Sequence, residues 1–242
     1  MTAAAAARAV TRELRRLASP ARAFDARRYF RDSGDLGFHN IGMPRVRGVA
    51  RRVVLDNPQW TVREAMALAD LLMADRFLES KAVAIEVVGR YRRTFAPGLL
   101  ARWKKWLAGV DSANWATTDA ICGLLIGPLL VARPDLVPKV LPWARHRSLW
   151  VRRASIVGLI PLARRGHALD ELYKTARVLH PDPHDLIHKA VGWALREAGK
   201  TDPGRLEAYL RRHGRSIPRT TVRYAIERFP DVKRRVLLEA TR

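Results

Sequence analysis

Cysteine is almost missing from this chain. The single Cys122 excludes an intramolecular disulfide and any multi-cysteine metal cluster. It sits in the apolar run Ala120–Leu125, where a small core residue is the default. Acidic residues are also scarce: 23 Asp and Glu face 45 Lys and Arg, leaving +22 at pH 7 and a sequence pI near 11.4. Self-repulsion of that size opposes a compact fold unless a polyanion is the usual partner. Arginine inflation by a GC-rich genome would raise Asp and Glu as well, so it does not account for the whole imbalance. No signal-peptide stretch and no charge-free segment of membrane-spanning length is evident, which predicts a soluble, reduced, cytoplasmic (bacterial, nucleoid-associated) protein and no membrane partner. Phosphate-binding glycine loops and clustered metal ligands are missing too. His180, His184 and His188 come nearest to a ligand set, but Pro181 and Pro183 interrupt the helix that would align them, so neither metal nor cofactor is expected.

Strand signals are as rare as cysteine, whereas helical ones run throughout. Hydrophobic residues make up 48% of the chain, enough for a sizeable core, and seven of its few aromatics are tryptophans. Ala-rich residues 1–18, with Arg8, Arg12, Arg15 and Arg16, read as an N-terminal helix with a basic face. Proline, often after Asp, Asn or Ser, punctuates segments of helical apolar spacing, as at Ser19-Pro20, Asn57-Pro58 and Asp202-Pro203.

The longer helices of the second half line up. One begins at Trp115, the next at Trp150, 35 residues on; a third at Leu186, 36 further; a fourth at Pro218, 32 beyond that. Shorter amphipathic helices, expected over Leu99–Leu107, Leu136–Ala144, Leu169–Val178 and Arg205–Arg211, precede them. A helical pair recurring at this interval predicts an all-α superhelical solenoid of HEAT-like repeats with a concave basic face. It would be a single domain over 1–242, clearest over 97–230.

The inner helices carry the unusual polar residues. Trp115 and Asp119 are four apart and share a helix face, as do Lys189 and Trp193. Arg153 takes the repeat position equivalent to Lys189. Indole faces attract positive charge, and a lone carboxylate stabilises charge that develops in a transition state. Such a wall suits a cationic nucleoside, with Arg and Lys on the flanking phosphates.

Three stretches carry a family resemblance: Trp115-Ala-Thr-Thr-Asp119, Leu149-Trp-Val-Arg152-Arg153-Ala154, and Lys189-Ala-Val-Gly192-Trp193-Ala-Leu-Arg196-Glu197. Together with a looser match at Ile41-Gly42-Met43-Pro44-Arg45, they resemble the AlkD-like DNA alkylpurine glycosylases over about residues 25–230. The resemblance implies a monofunctional, monomeric enzyme that excises N3- and N7-alkylated purines from double-stranded DNA, and leaves simple methyl lesions and bulky adducts both open. It implies Asp119 as the catalytic aspartate, Trp115 and Trp193 as the cradle of the deoxyribose, and Arg153 as a supporting arginine near the lesion. Arg152, Lys189, Arg196, Tyr29 and Arg45 become DNA contacts. His188 stands where the family has arginine, a departure in the same stretch. Two alternatives stay open: a non-catalytic DNA-binding HEAT paralogue or scaffold, and a protein-interaction solenoid that would leave the charge unexplained.

Overall fold

Helix starts are written locally in this chain. Thr61 and Glu64 cap one helix reciprocally, with the Thr61 N–H donating to the Glu64 carboxylate at 2.9 Å. Asp202 caps another, accepting from the Arg205 N–H at 2.9 Å. Among the described residues five α-helices carry proline in their first two positions, where a missing N–H costs nothing. The computed structural model describes residues 1–20, 30, 36–109 and 114–242. Among them the architecture is all-helical, with 74% helix and no strand; one isolated bridge joins Gly37 to Phe77.

The chain divides into two compact units, Met1–Leu125 and Ile126–Arg242. The first contains α1 (Ala3–Leu17), α2 (Met43–Leu55), α3 (Val62–Met73), α4 (Leu78–Gly89), α5 (Leu99–Ala108) and α6 (Trp115–Ile121). Apolar side chains at helical spacing fill its interior: Ala6, Val10 and Leu14 from α1, Val46, Ala50 and Val53 from α2, Leu68 and Leu72 from α3. Each fully buried large side chain contributes about 1.5–3 kcal/mol. Two buried charges fix the segments around α4. The Glu79 carboxylate accepts from the backbone N–H groups of His39 and Ile41 at 3.0 and 3.2 Å, and Lys81 Nζ donates to the carbonyls of Met73 and Asp75. These bonds offset the cost of taking both charges out of water.

The second unit contains α7 (Gly127–Ala132), α8 (Val137–Val140), α9 (Leu149–Val157), α10 (Ile160–Ala163), α11 (Leu169–Leu179), α12 (Asp185–Gly199), α13 (Pro203–His213), α14 (Arg219–Ala225) and α15 (Asp231–Ala240). At its centre α12 packs against α9, α11, α13 and α14. Gly192 permits the close approach of α14: a Cβ there would stand 2.4 Å from Tyr224 Cβ and 2.7 Å from the Thr221 carbonyl.

One expected helix is broken. Leu136–Ala144 forms the end of a 3-10 turn, the four residues of α8 and a second 3-10 turn, Leu141–Arg145. Pro142 explains the break, because its ring clashes with the carbonyl four residues back and it has no N–H to continue the ladder. The helical run Trp115–Ala132 is 18 residues long and apolar enough to cross a membrane by length and composition alone. Half of that window is buried in the protein, and its one charge is Asp119.

Candidate functional site

In the first unit the site is built on the start of α6. Asn114, 1% exposed, caps the helix: its Oδ1 accepts from the Thr117 N–H at 2.8 Å, and its Nδ2 donates to Thr117 Oγ1 at 2.9 Å. Thr118 Oγ1 donates to the Asn114 carbonyl at 3.0 Å. Asn114, Thr117 and Thr118 are buried, whereas Trp115 and Asp119, one turn apart, are only half-buried. The capping network therefore sets which face of α6 is open, and the indole and the carboxylate share it.

Just past Asp119 the helix widens into a π-helical turn, Cys122–Ile126. Pro128 supplies the cause: it cannot donate to Leu124, and its ring pushes that carbonyl aside. Turns of this type recur at functional sites.

Sequence reasoning passed over a neighbour of Trp115. The Phe30 ring stacks on the indole with centroids 5.2 Å apart and planes 6° from parallel, and Phe38 lies 5.3 Å beyond Phe30. Tyr29 lies outside the described residues. Arg45 is exposed on α2 and lines a groove of about 650 Å³ between α1 and α2, together with Glu13, Arg52 and Asp56.

In the second unit Arg153 is 5% exposed, and its Nη1 donates to the carbonyl of Leu186 in the first turn of α12. It thus ties α9 to the start of the helix that carries Lys189 and Trp193. Arg152 is engaged structurally: its Nε pairs with Asp182 at 2.6 Å, and its Nη1 donates to the carbonyls of His146 and Arg147 at 3.0 and 2.9 Å. Lys189 pairs with Asp185 one turn earlier at 2.6 Å, with both side chains about half exposed. The hydrogen bond between them raises the Lys189 ammonium above its ordinary value and lowers the Asp185 carboxyl. Trp193, one turn after Lys189, is half-buried. Arg196 pairs with Glu227 and lies near Glu197.

The three histidines take separate partners. His180 Nε2 meets Tyr209 Oη at 2.6 Å, His184 Nδ1 caps α12 by accepting from the Leu186 N–H, and His188 Nε2 lies 2.5 Å from the Asp182 carbonyl. No group of three metal-ligating side chains occurs among the described residues.

A family model described as DNA alkylation repair enzyme matches residues 10–229. In fold the chain is similar to the solved structure of a predicted DNA alkylation repair enzyme from Enterococcus faecalis, with a TM-score of 0.77 and 17% identity over 88% of this chain and 97% of that one. None of the curated proteins matches at a significant level.

Proposed function

The chain belongs to the DNA alkylation repair enzyme family, and we propose on that premise that it is a DNA glycosylase for N3- and N7-alkylated purines in duplex DNA. The observation that carries this reading is the shared open face of α6, where an indole and a carboxylate stand one turn apart beside a buried cap.

Alkylation at N3 or N7 leaves a positive charge on the purine, so the base departs as a neutral molecule when the C1′–N bond breaks with its electron pair. The sugar is left with oxocarbenium charge. Asp119 stabilises that charge and orients a water, whose oxygen bonds to C1′ and whose proton is released to solvent or to the carboxylate. Fixed charges aimed at developing charge are commonly worth about 10²–10³ in rate each. The face of the Trp115 indole adds attraction for the cationic sugar. No redox step is involved, and a cationic leaving group asks little of a general acid.

The cations divide by their present bonds. Lys189 is the readiest proposed phosphate contact, because an exposed pair such as Lys189–Asp185 is worth only about 0–1 kcal/mol. Arg45 is exposed as well. Arg152 and Arg196 hold carboxylates, and Arg153 holds the Leu186 carbonyl, so Arg153 supports the reaction through the placement of α12.

The test is incubation of the full chain with duplex DNA carrying 7-methylguanine and 3-methyladenine, with chromatographic detection of the free bases. Release of either base with an abasic site left behind supports the reading. Binding without release favours a non-catalytic DNA-binding paralogue.

A further inference from the structure

α11 and α13, two helices that carry none of the residues assigned to the reaction, enclose a cleft of about 200 Å³. Its walls are Tyr173, Lys174 and Arg177 from α11 and Arg205, Tyr209 and His213 from α13. Asp170, the one acid in the lining, is ion-paired with Arg205. That guanidinium also lies 4.7 Å above the centre of the Tyr173 ring, so it is held in place by two neighbours. The rings form a connected floor: Tyr173 lies 4.8 Å from Tyr209, and Tyr209 4.9 Å from His213.

Two buried polar atoms in this cluster have no hydrogen-bond partner among the described residues. Tyr173 is 6% exposed with an unpaired hydroxyl, and His180, bonded through Nε2 to Tyr209, is 5% exposed with an unpaired Nδ1. Each such group costs about 1–3 kcal/mol if nothing satisfies it, and native folds rarely leave them so. Burial pushes the Tyr173 phenol up to about 12, so it stays protonated and available as a donor. His213 is lowered by burial first and then by Arg212 and Arg177, which marks the local potential as positive.

We propose that this cleft is an anion site that takes a phosphoryl group, gripped by Lys174, Arg177 and Arg205 and by the Tyr173 hydroxyl. Guanidinium forks match tetrahedral oxyanions, and a partly buried setting strengthens such charge-assisted bonds. The group could belong to a free phosphate ion or to a nucleic-acid strand; the chemistry recognised is the same.

The experiment follows the arginine side-chain N–H and His213 ring resonances of the full chain by NMR while inorganic phosphate is added at constant ionic strength. Saturable shifts at Arg177, Arg205 and His213, reproduced by sulfate and not by chloride, are the expected result. Lys174→Gln and Arg177→Gln should each weaken the apparent Kd at least fivefold; both side chains are exposed, so the fold survives the change. In a second arm, a short duplex DNA that shifts the same resonances and is displaced by phosphate assigns the group to a strand, while a duplex that leaves them unmoved assigns it to the free ion. Non-saturating shifts, or variants that titrate like the parent, overturn the proposal.

Discussion

The Phe30 ring lies on one face of the Trp115 indole, 5.2 Å away and within 6° of parallel. Such a pair contributes about 0.5–1.5 kcal/mol beyond area burial, and here it fixes the plane of an indole proposed to meet the substrate sugar. Phe30→Ala is expected to lower kcat/KM for 7-methylguanine excision by roughly 2–10-fold, while Phe30→Tyr keeps near-parent activity. Single-turnover kinetics on both variants checks this. Full activity in Phe30→Ala would leave the stack without a role in excision.

Gly192 tests the packing that presents Trp193. A methyl group there would enter the space of Tyr224 and Thr221, and overpacking of this kind costs about 1–3 kcal/mol. Gly192→Ala should lower the midpoint of urea unfolding accordingly. An unchanged midpoint would mean that α12 and α14 yield more easily than their contact implies.

Acid should weaken the second unit through His180. Burial, with His213, His188 and Arg177 adding to it, pulls this imidazole from its ordinary 6.5 down to about 4. Between those values the unfolded chain binds a proton that the folded chain refuses, so the contribution is intact above pH 6.5 and is lost as pH falls towards 4. The full loss is up to about 3 kcal/mol. Urea unfolding at pH 7, 5.5 and 4.5 measures it, and His180→Gln, which keeps a group able to bond Tyr209, should flatten the dependence. An equally steep profile in the variant would place the acid sensitivity elsewhere.

Local rules made much of this legible from residues alone. The helix expected over Leu169–Val178 is α11, Leu169–Leu179, because its apolar spacing and first-turn acids agree. Leu136–Ala144 reads as one helix from its hydrophobic spacing, and in the structure Pro142 prevails over that spacing. Trp115 and Asp119 were visible as a one-turn pair, but Phe30 was not, since an aromatic 85 positions away leaves no trace in helical periodicity. Asn114 could have been found, as an Asn directly before the helix and three before Thr117. The roles of Arg152 and Arg153 depend on Asp182 and on the Leu186 carbonyl, partners that only tertiary structure supplies.

Charge predicts how the chain meets DNA. With +22 on 242 residues, several lysines and arginines should displace counterions from phosphate, and log Kobs should fall linearly with log salt at about −0.9 per phosphate contacted. Fluorescence anisotropy on an undamaged duplex across 50–300 mM salt (about that range suffices) gives the slope. A flat profile would argue against phosphate-dominated binding.

Asp119 carries the central claim, and Asp119→Asn tests it most directly. The variant keeps the shape of the side chain at a half-buried position and removes its charge, so duplex binding should be retained while single-turnover release of 7-methylguanine falls by about 10²–10³. Release at the parent rate would contradict the account.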